Sequence, residues 1–443
     1  MIRALLMLLA VVTLGLALPA AAPAAGPVTA VTETEPNFDD EAGADADADD
    51  PAIWVNPGNP ARSIVVGTLK DGGLTVFELS GTTLQQLPAA PPPEPGRVDG
   101  RYNNVDLVYG ARIGRLKGDL AIVSDRGRDQ VRTFLVDRDR DRHAPLRDVT
   151  APNAPLVFSR DLDEVEDQAT AYGLAAWVDQ RTGAPYVVVS RRSRTEVALL
   201  RLVPGPRRTV SYVEVDRLAL PSRFAVPGGT WSPCEDPGDL PQVEGMVVDA
   251  PRELAFLGQE DVGIWRVGVD RRGFSRRPSL IERVREFGVP ATFDEAEEEC
   301  VPDPASDPGV GGDHISADVE GLTIYRGGRG RGYLLASSQG DDTFAVFGDR
   351  GRGPYLGSFA IGDGRVDGVQ ESDGAAVVNV PLGRAFPAGL LVTQDGDNKP
   401  DVPDEEGEVR ANTNFKLTRW DDVARAFSPR LLVDPFGFDP RYG

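Results

Sequence analysis

The sequence predicts an all-β fold, a six-bladed β-propeller of mostly four-stranded antiparallel blades. Three observations predict it. Glycine and proline number 49 and 37 among 443 residues, a density of turn-formers that leaves little room for long helices. No long segment with a 3.6-residue apolar period stands out after residue 30. Instead, one two-strand phrase recurs: an apolar run ending in a small residue, a polar turn, and a second apolar or alternating run. The copies are 63–68 with 74–79, 119–124 with 131–136, 185–190 with 196–202, 253–258 with 263–269, 332–337 with 343–347, and 388–393 with 415–420.

Each hairpin is preceded by another short apolar strand, at 51–55, 105–108, 173–178, 245–248, 321–325 and 375–380. With one weaker outer strand, each unit becomes a four-stranded blade. Six such blades closing radially remove most exposed sheet edges. A two-sheet sandwich repeated across two domains would not produce six-fold recurrence over nearly the whole chain.

The N-terminus reads differently. Residues 1–25 have the form of a signal peptide: Arg3, an apolar run from Leu5 to Leu18, then small residues at Ala20–Ala22 and Ala24–Ala25. The run is too short for a membrane span. The protein is therefore expected to be secreted and free of the membrane once the leader is removed. Residues 26–48 read as an acidic arm, solvated for most of its length; from Glu33 to Asp50 the chain has nine acids and no base. The propeller is expected over residues 49–440, as one domain and a monomer, with insertions near 222–242 and 283–313. Each insertion holds one of the chain's two cysteines. In an oxidising compartment Cys234 and Cys300 are expected to pair, which would stabilise the fold by about 4 kcal/mol in the chain-entropy model.

Composition narrows the chemistry. A formal net charge of −22 argues against nucleic acid, whose backbone such a field repels. Two Cys and two His cannot build a zinc cluster beyond one site. His143 is followed by Ala-Pro-Leu and His314 by Ile-Ser-Ala, so neither sits in the Arg-His-Gly nucleophile motif of a histidine acid phosphatase. Neither cysteine begins a Cys-x5-Arg loop.

The turns carry the positive signal. After the first hairpin strand, copies one to three place Lys70, Arg126 and Arg191 or Arg192; copies four to six place Glu260, Gln339 and Asp395. Acids also stand at or before the inner strands: Asp49, Asp50, Asp106, Glu244, Asp318, Glu320, Asp367 and Asp373. If these positions share one rim, half of it is cationic and half acidic. Convergent carboxylates without His or Cys form an oxygen site for a hard cation, with Ca²⁺ favoured over Mg²⁺ by the number of protein oxygens. Bases beside metal-ligating acids suit phosphate, since Arg and Lys bind its oxygens and bound metal neutralises charge and activates water.

These loops resemble the β-propeller phytases, secreted calcium-dependent phosphatases acting on inositol hexakisphosphate. The resemblance rests on Asp45 to Trp54 (DADADDPAIW), Asn103-Asn104-Val105-Asp106, Val243 to Met246, Ala317 to Tyr325, Gly332 to Gly340, Ser372-Asp373-Gly374, Gln394-Asp395-Gly396 and Asn414-Phe415-Lys416. It spans Thr34 to Trp420. It implies several calcium ions held by Asp49, Asp50, Glu244, Glu260, Asp318, Glu320, Gln339 and Asp367, together with Glu35, Asn104, Asp106 and Asp373. It implies phosphate contacts from Lys70, Arg126, Tyr172 and Arg192 or Arg191, with a cleavage site beside an affinity site. Lys70, Arg126, Tyr172, Arg192 and Glu244 would be the catalytic set, and the substrate phytate, taken as its calcium complex. The chain departs from the family at Lys70-Asp71, where a Lys-Lys pair is usual, in the third turn, where Arg replaces Lys, and at Val108, where Arg is usual. A calcium-dependent propeller lactonase or esterase is the alternative enzyme, and a non-catalytic calcium-binding propeller the alternative without activity.

Overall fold

A computed structural model describes residues 27–40, 47–137, 143–296 and 299–442. The expected signal peptide lies outside the described residues. Six antiparallel sheets follow one another along the chain; in five the strands pair in sequence order, and the last takes one strand from the N-terminal segment. Their inner strands are Pro51–Trp54, Tyr102–Ile113, Ala171–Val178, Val243–Asp249, Val319–Arg326 and Ala375–Val378. All six strands expected to precede the hairpins occupy this inner position, and the six hairpins form the middle of the blades.

The middle strands are the most apolar because they are covered on both faces. Ile64–Thr68 and Leu390–Asp395 are buried along their whole length. The apolar clusters lie between neighbouring blades. Val66 and Val76 of the first blade pack with Val123 and Phe134 of the second. Phe77 of the first packs with Phe415 of the last. Gly67 marks how closely those two blades meet, since a Cβ there would stand 2.3 Å from the Phe415 ring.

The last blade corrects the reading of the acidic arm. Thr32–Glu33 pairs with Asn412–Arg419 and supplies the fourth strand of that sheet; Asn37–Phe38 pairs with the same strand. Val28–Thr29 runs parallel to Ile361–Gly362. Residues 28–38 are thus built into the propeller and close its ring. Edge pairing outweighs acidity here because Asn412–Arg419 would otherwise leave a row of backbone groups unpaired.

Both insertions form two-stranded hairpins outside the blades, Phe224–Val226 with Gly229–Trp231, and Ala291–Asp294 with Glu299–Pro302. A disulfide between Cys234 and Cys300 joins them, with Cα atoms 5.9 Å apart. Trp231 packs on Phe287 and donates its indole N–H to the Val289 carbonyl. No helix among the described residues is long and apolar enough to cross a membrane.

Candidate active site

The site is built at the start of the inner strands. Four of these strands have, within or just before their first residues, a glycine that follows a functional side chain: Tyr172-Gly173, Glu244-Gly245, Glu320-Gly321 and Asp373-Gly374. Each glycine abuts the next blade. A Cβ would lie 2.1 Å from the Glu244 carbonyl at Gly173, 1.7 Å from the Glu320 carbonyl at Gly245, 2.6 Å from the Ala375 nitrogen at Gly321, and 2.6 Å from the Asp49 carbonyl at Gly374. Glycine therefore lets four inner strands converge on the axis, and the side chains before them meet around it.

Glu244, Glu260 and Glu320 form the centre, with one carboxylate oxygen of each within 4.8 Å of the others. Asn103 donates its amide to Glu244 at 2.5 Å and to Asn104 Oδ1 at 3.0 Å. Arg126 donates to Asn103 Oδ1 at 3.3 Å and lies 5.6 Å from the centre of the Tyr172 ring. On the other side Lys70 reaches Asp47 at 2.5 Å, Asp373 at 3.7 Å and Asp49 at 3.9 Å. Gln339 donates to Asp373 at 2.7 Å. Asp50 takes the Val105 N–H at 3.0 Å.

Electrostatics mark the cluster as short of positive charge. Burial, then the neighbouring Glu244, raises Asp49, Glu260 and Glu320 well above the carboxylate range. Burial raises Asp373 to about 7, against the opposing pull of Lys70. Burial and then Glu244 raise Tyr172, so its phenol remains protonated at physiological pH. Lys70 is also raised, because Asp49, Asp373 and Asp47 outweigh its own burial. Burial lowers Arg126, and the like charges of Arg192 and Arg101 add to that effect. Three solvent-shielded oxygens, Asp49 Oδ1, Glu260 Oε1 and Glu320 Oε2, have no hydrogen-bond donor. Buried acceptors of this kind are costly unless something else satisfies them. Several converging carboxylate oxygens with no protein donor are a donor set that fits a hard divalent cation.

The structure does not bring every expected residue to this centre. Asp367 instead binds the buried Lys416 ammonium, together with Glu33 at 2.5 Å and Asp395 at 3.1 Å. Asp106 is tied by the Leu107 and Ala176 amides at 2.6 and 2.8 Å and lines the axial channel. Glu35 accepts from the Thr83 hydroxyl at the outer edge of the first blade. Arg191 is engaged by Glu196 at 3.1 Å and Glu164 at 3.3 Å, which leaves Arg192 as the third-turn cation within electrostatic reach of Arg126. Asp318 lies at the margin, hydrogen-bonded to Asp261. His314 stacks on Tyr355 and faces Glu282. Asp47, Asn103 and Asp261 are site residues that sequence reasoning left unassigned. Asp261 adjoins Glu260 in its turn, and Asn103 opens the Asn-Asn-Val-Asp run, so local position alone could have flagged both.

Comparison with known proteins decides the family. The family model described as Phytase matches residues 1–220 and 304–442. The chain belongs to the phytase family. This phytase is 32% identical to the 3-phytase of Bacillus subtilis (strain 168) over 401 residues, covering 90% of this chain and 85% of that protein. It is therefore a phosphoric monoester hydrolase, and the lactonase and non-catalytic alternatives lose their support. Among solved structures, the phytase is similar to the β-propeller domain of Cps50 (Swd1) from Myceliophteria thermophila, with a TM-score of 0.35 and 10% identity over 83% of this chain and 82% of that one. It is also similar to U3-55K, with a TM-score of 0.37 and 12% identity over 83% and 79%. Nothing functional follows from either likeness.

Proposed function

We propose that this phytase is a secreted, calcium-dependent enzyme that removes phosphate from inositol hexakisphosphate by direct attack of water. One observation carries the reading: a base and phenol group of Lys70, Arg126, Tyr172 and Arg192 stands against buried carboxylates whose oxygens lack donors. Calcium held by Glu244, Glu260, Glu320 and Asp49, with Asp50, Asn104, Asp318, Gln339 and Asp373 around them, would neutralise phosphate charge and make bound water more acidic.

The chain's own residues account for the rest. Arg126, Arg192 and Lys70 hold equatorial phosphate oxygens and stabilise charge that builds there in the transition state. Tyr172, kept protonated, serves as a hydrogen-bond donor. Asn103 links the two halves of the site, since its carbonyl takes Arg126 and its amide holds Glu244. No cysteine or histidine stands in the centre to form a phosphoenzyme. The disulfide supports export to an oxidising compartment.

The test is phosphate release from phytate by the purified chain in calcium and in chelator. Release in calcium and none in chelator is expected. No release in calcium would overturn the substrate; equal release in chelator would overturn the metal.

A further inference from the structure

We propose that the first disulfide-linked insertion braces the phosphate-binding third turn, and that Gln242 is the positioning residue that ties the Arg192 turn to the Glu260 carboxylate. The inference rests on the phosphate contact read for Arg192 above. It gives a role to part of residues 221–303, the stretch outside the family match.

Gln242 stands where the insertion rejoins the propeller, and its side chain is used at both ends. Oε1 accepts the Ser193 N–H at 2.7 Å, and Nε2 donates to Glu260 at 2.9 Å. The reverse orientation would set the amide oxygen against a carboxylate and the NH₂ against an N–H. The Gln242 carbonyl also takes the Glu260 N–H at 3.2 Å. One residue thus joins the turn that carries a cation of the site to the turn that carries one of its central carboxylates.

The insertion holds the rest of Ser193. Its carbonyl accepts the Leu240 N–H at 3.1 Å and Arg194 Nη1 at 2.5 Å, and the same nitrogen reaches Asp239 at 3.2 Å. Ser193 has a φ of 54°, a left-handed conformation that a residue with a Cβ keeps only where its surroundings hold it. Arg192 is fixed from the other side. Its N–H meets the Thr170 carbonyl at 2.9 Å, and the Thr170 hydroxyl donates to the Arg126 carbonyl at 2.5 Å. Arg126, Arg192 and Glu260 therefore stand on one hydrogen-bonded chain of turns, with the insertion closing it between the last two.

The insertion is itself anchored at both ends. The buried Gln259 amide donates to the carbonyls of Pro221 at 3.2 Å and Pro241 at 2.8 Å, and its oxygen accepts the Trp265 indole N–H at 2.9 Å. The bond from Cys234 to Cys300 fixes its middle. Anchoring matters more for the arginine of this turn than for the lysine usual there, because a guanidinium donates in fixed directions whereas an ammonium turns on its stem. A backbone held before binding loses little freedom when phosphate arrives.

Steady-state kinetics on phytate at saturating calcium test the brace in the full chain, with melting temperatures to establish folding. Gln242→Ala, Asp239→Ala and Asp236→Ala are compared, each alone and combined with Arg192→Ala. Gln242→Ala should raise KM about fivefold with a smaller fall in kcat, within the range for residues coupled through one hydrogen-bond network. Asp239→Ala should raise KM about twofold. By charge alone, removing an acid near a polyanion's site lowers KM, so a rise reads position and not field. Asp236, an exposed acid of the same insertion, should show no rise. In the Arg192→Ala background neither Gln242→Ala nor Asp239→Ala should raise KM further, since the brace acts through the lost guanidinium. If Gln242→Ala does not fold, Asp239→Ala carries the same test. Undiminished effects in that background, or wild-type KM in the folded single variants, would overturn the brace and leave the calcium phytase intact. Wild-type KM in Arg192→Ala itself would overturn the phosphate contact and the brace with it.

Discussion

Glu244 and Asp249 occupy the two ends of one inner strand, Val243–Asp249, about 17 Å apart at strand rise. Both are buried, at 4% and 0% exposure. Asp249 is surrounded by bases: Arg326 at 2.8 Å, Arg252 at 3.0 Å and Arg350 at 3.2 Å. Glu244 is surrounded by acids and, among the described residues, receives the Asn103 amide alone. A buried charge needs a counter-charge. At one end the chain supplies it in covalent form, and that end is structural. At the other it withholds it, and the vacancy in charge is what a metal and a phosphate ester can use. Lys416 repeats the first solution beneath the last blade, a lysine with no exposure among Glu33, Asp367 and Asp395.

Replacing each acid should break this contrast in opposite ways. Glu244→Ala should lower phosphate release in saturating calcium by at least roughly 10²–10³-fold, the scale of a lost transition-state charge partner. In chelator it should leave the melting temperature unchanged or higher, because it relieves repulsion from Glu260 and Glu320. Wild-type turnover in Glu244→Ala would mean that the centre lies elsewhere. Asp249→Ala should do the reverse. It strands three arginines, one of which burial already lowers to about 10, and should cost about 3–5 kcal/mol of stability. Calcium should not restore it. Denaturant unfolding with and without calcium reads both variants on one scale, and a calcium-rescued Asp249→Ala would erase the distinction between the two ends.

Proton linkage sharpens the comparison at wild-type sequence. Burial raises Asp373 to about 7 in the metal-free fold, and burial with the nearby Glu244 raises Asp49, Glu260 and Glu320 beside it, against about 4 in an unfolded chain. A raised carboxylate adds stability below its unfolded value and loses it as pH climbs through the folded value. The chelated protein should therefore lose stability between about pH 4 and pH 7 from these groups. Calcium competes with those protons, so its increment in melting temperature should grow from pH 5 to pH 8. An increment of equal size at both pH values would show that calcium does not bind these carboxylates.

The blades were legible because their signal is local: a strand, a turn and a strand, repeated. The rim was legible for the same reason, since Glu244, Glu320 and Asp373 each precede a glycine within two residues of the start of an inner strand. Pairing across the ring was not. Nothing near Asp367 announces Lys416, 49 residues away, and Glu33 meets the same ammonium across 383 residues. Asp106 stands in a motif shared with site residues, yet two strand amides consume its oxygens. Position in a turn tells which rim a side chain joins; which partner takes it depends on closure of the ring. The acidic arm was misread on the same ground, because its partner strand comes at the far end of the chain.

The smallest expected effect separates two adjacent arginines. Arg191 is spent on Glu196, Glu164 and the Ala169 carbonyl, while Arg192 makes no side-chain ion pair among the described residues and lies close enough to Arg126 to lower it. Two like charges held near each other favour a bound anion between them. Arg192→Ala should raise KM for phytate about tenfold, with a smaller fall in kcat, as expected for a contact made in both ground and transition states. Arg191→Ala should leave KM within about twofold and instead lower the melting temperature, since its carboxylate partners lose their base. Equal KM effects from the two substitutions would mean that the third turn acts as a diffuse positive patch and not through one directed guanidinium.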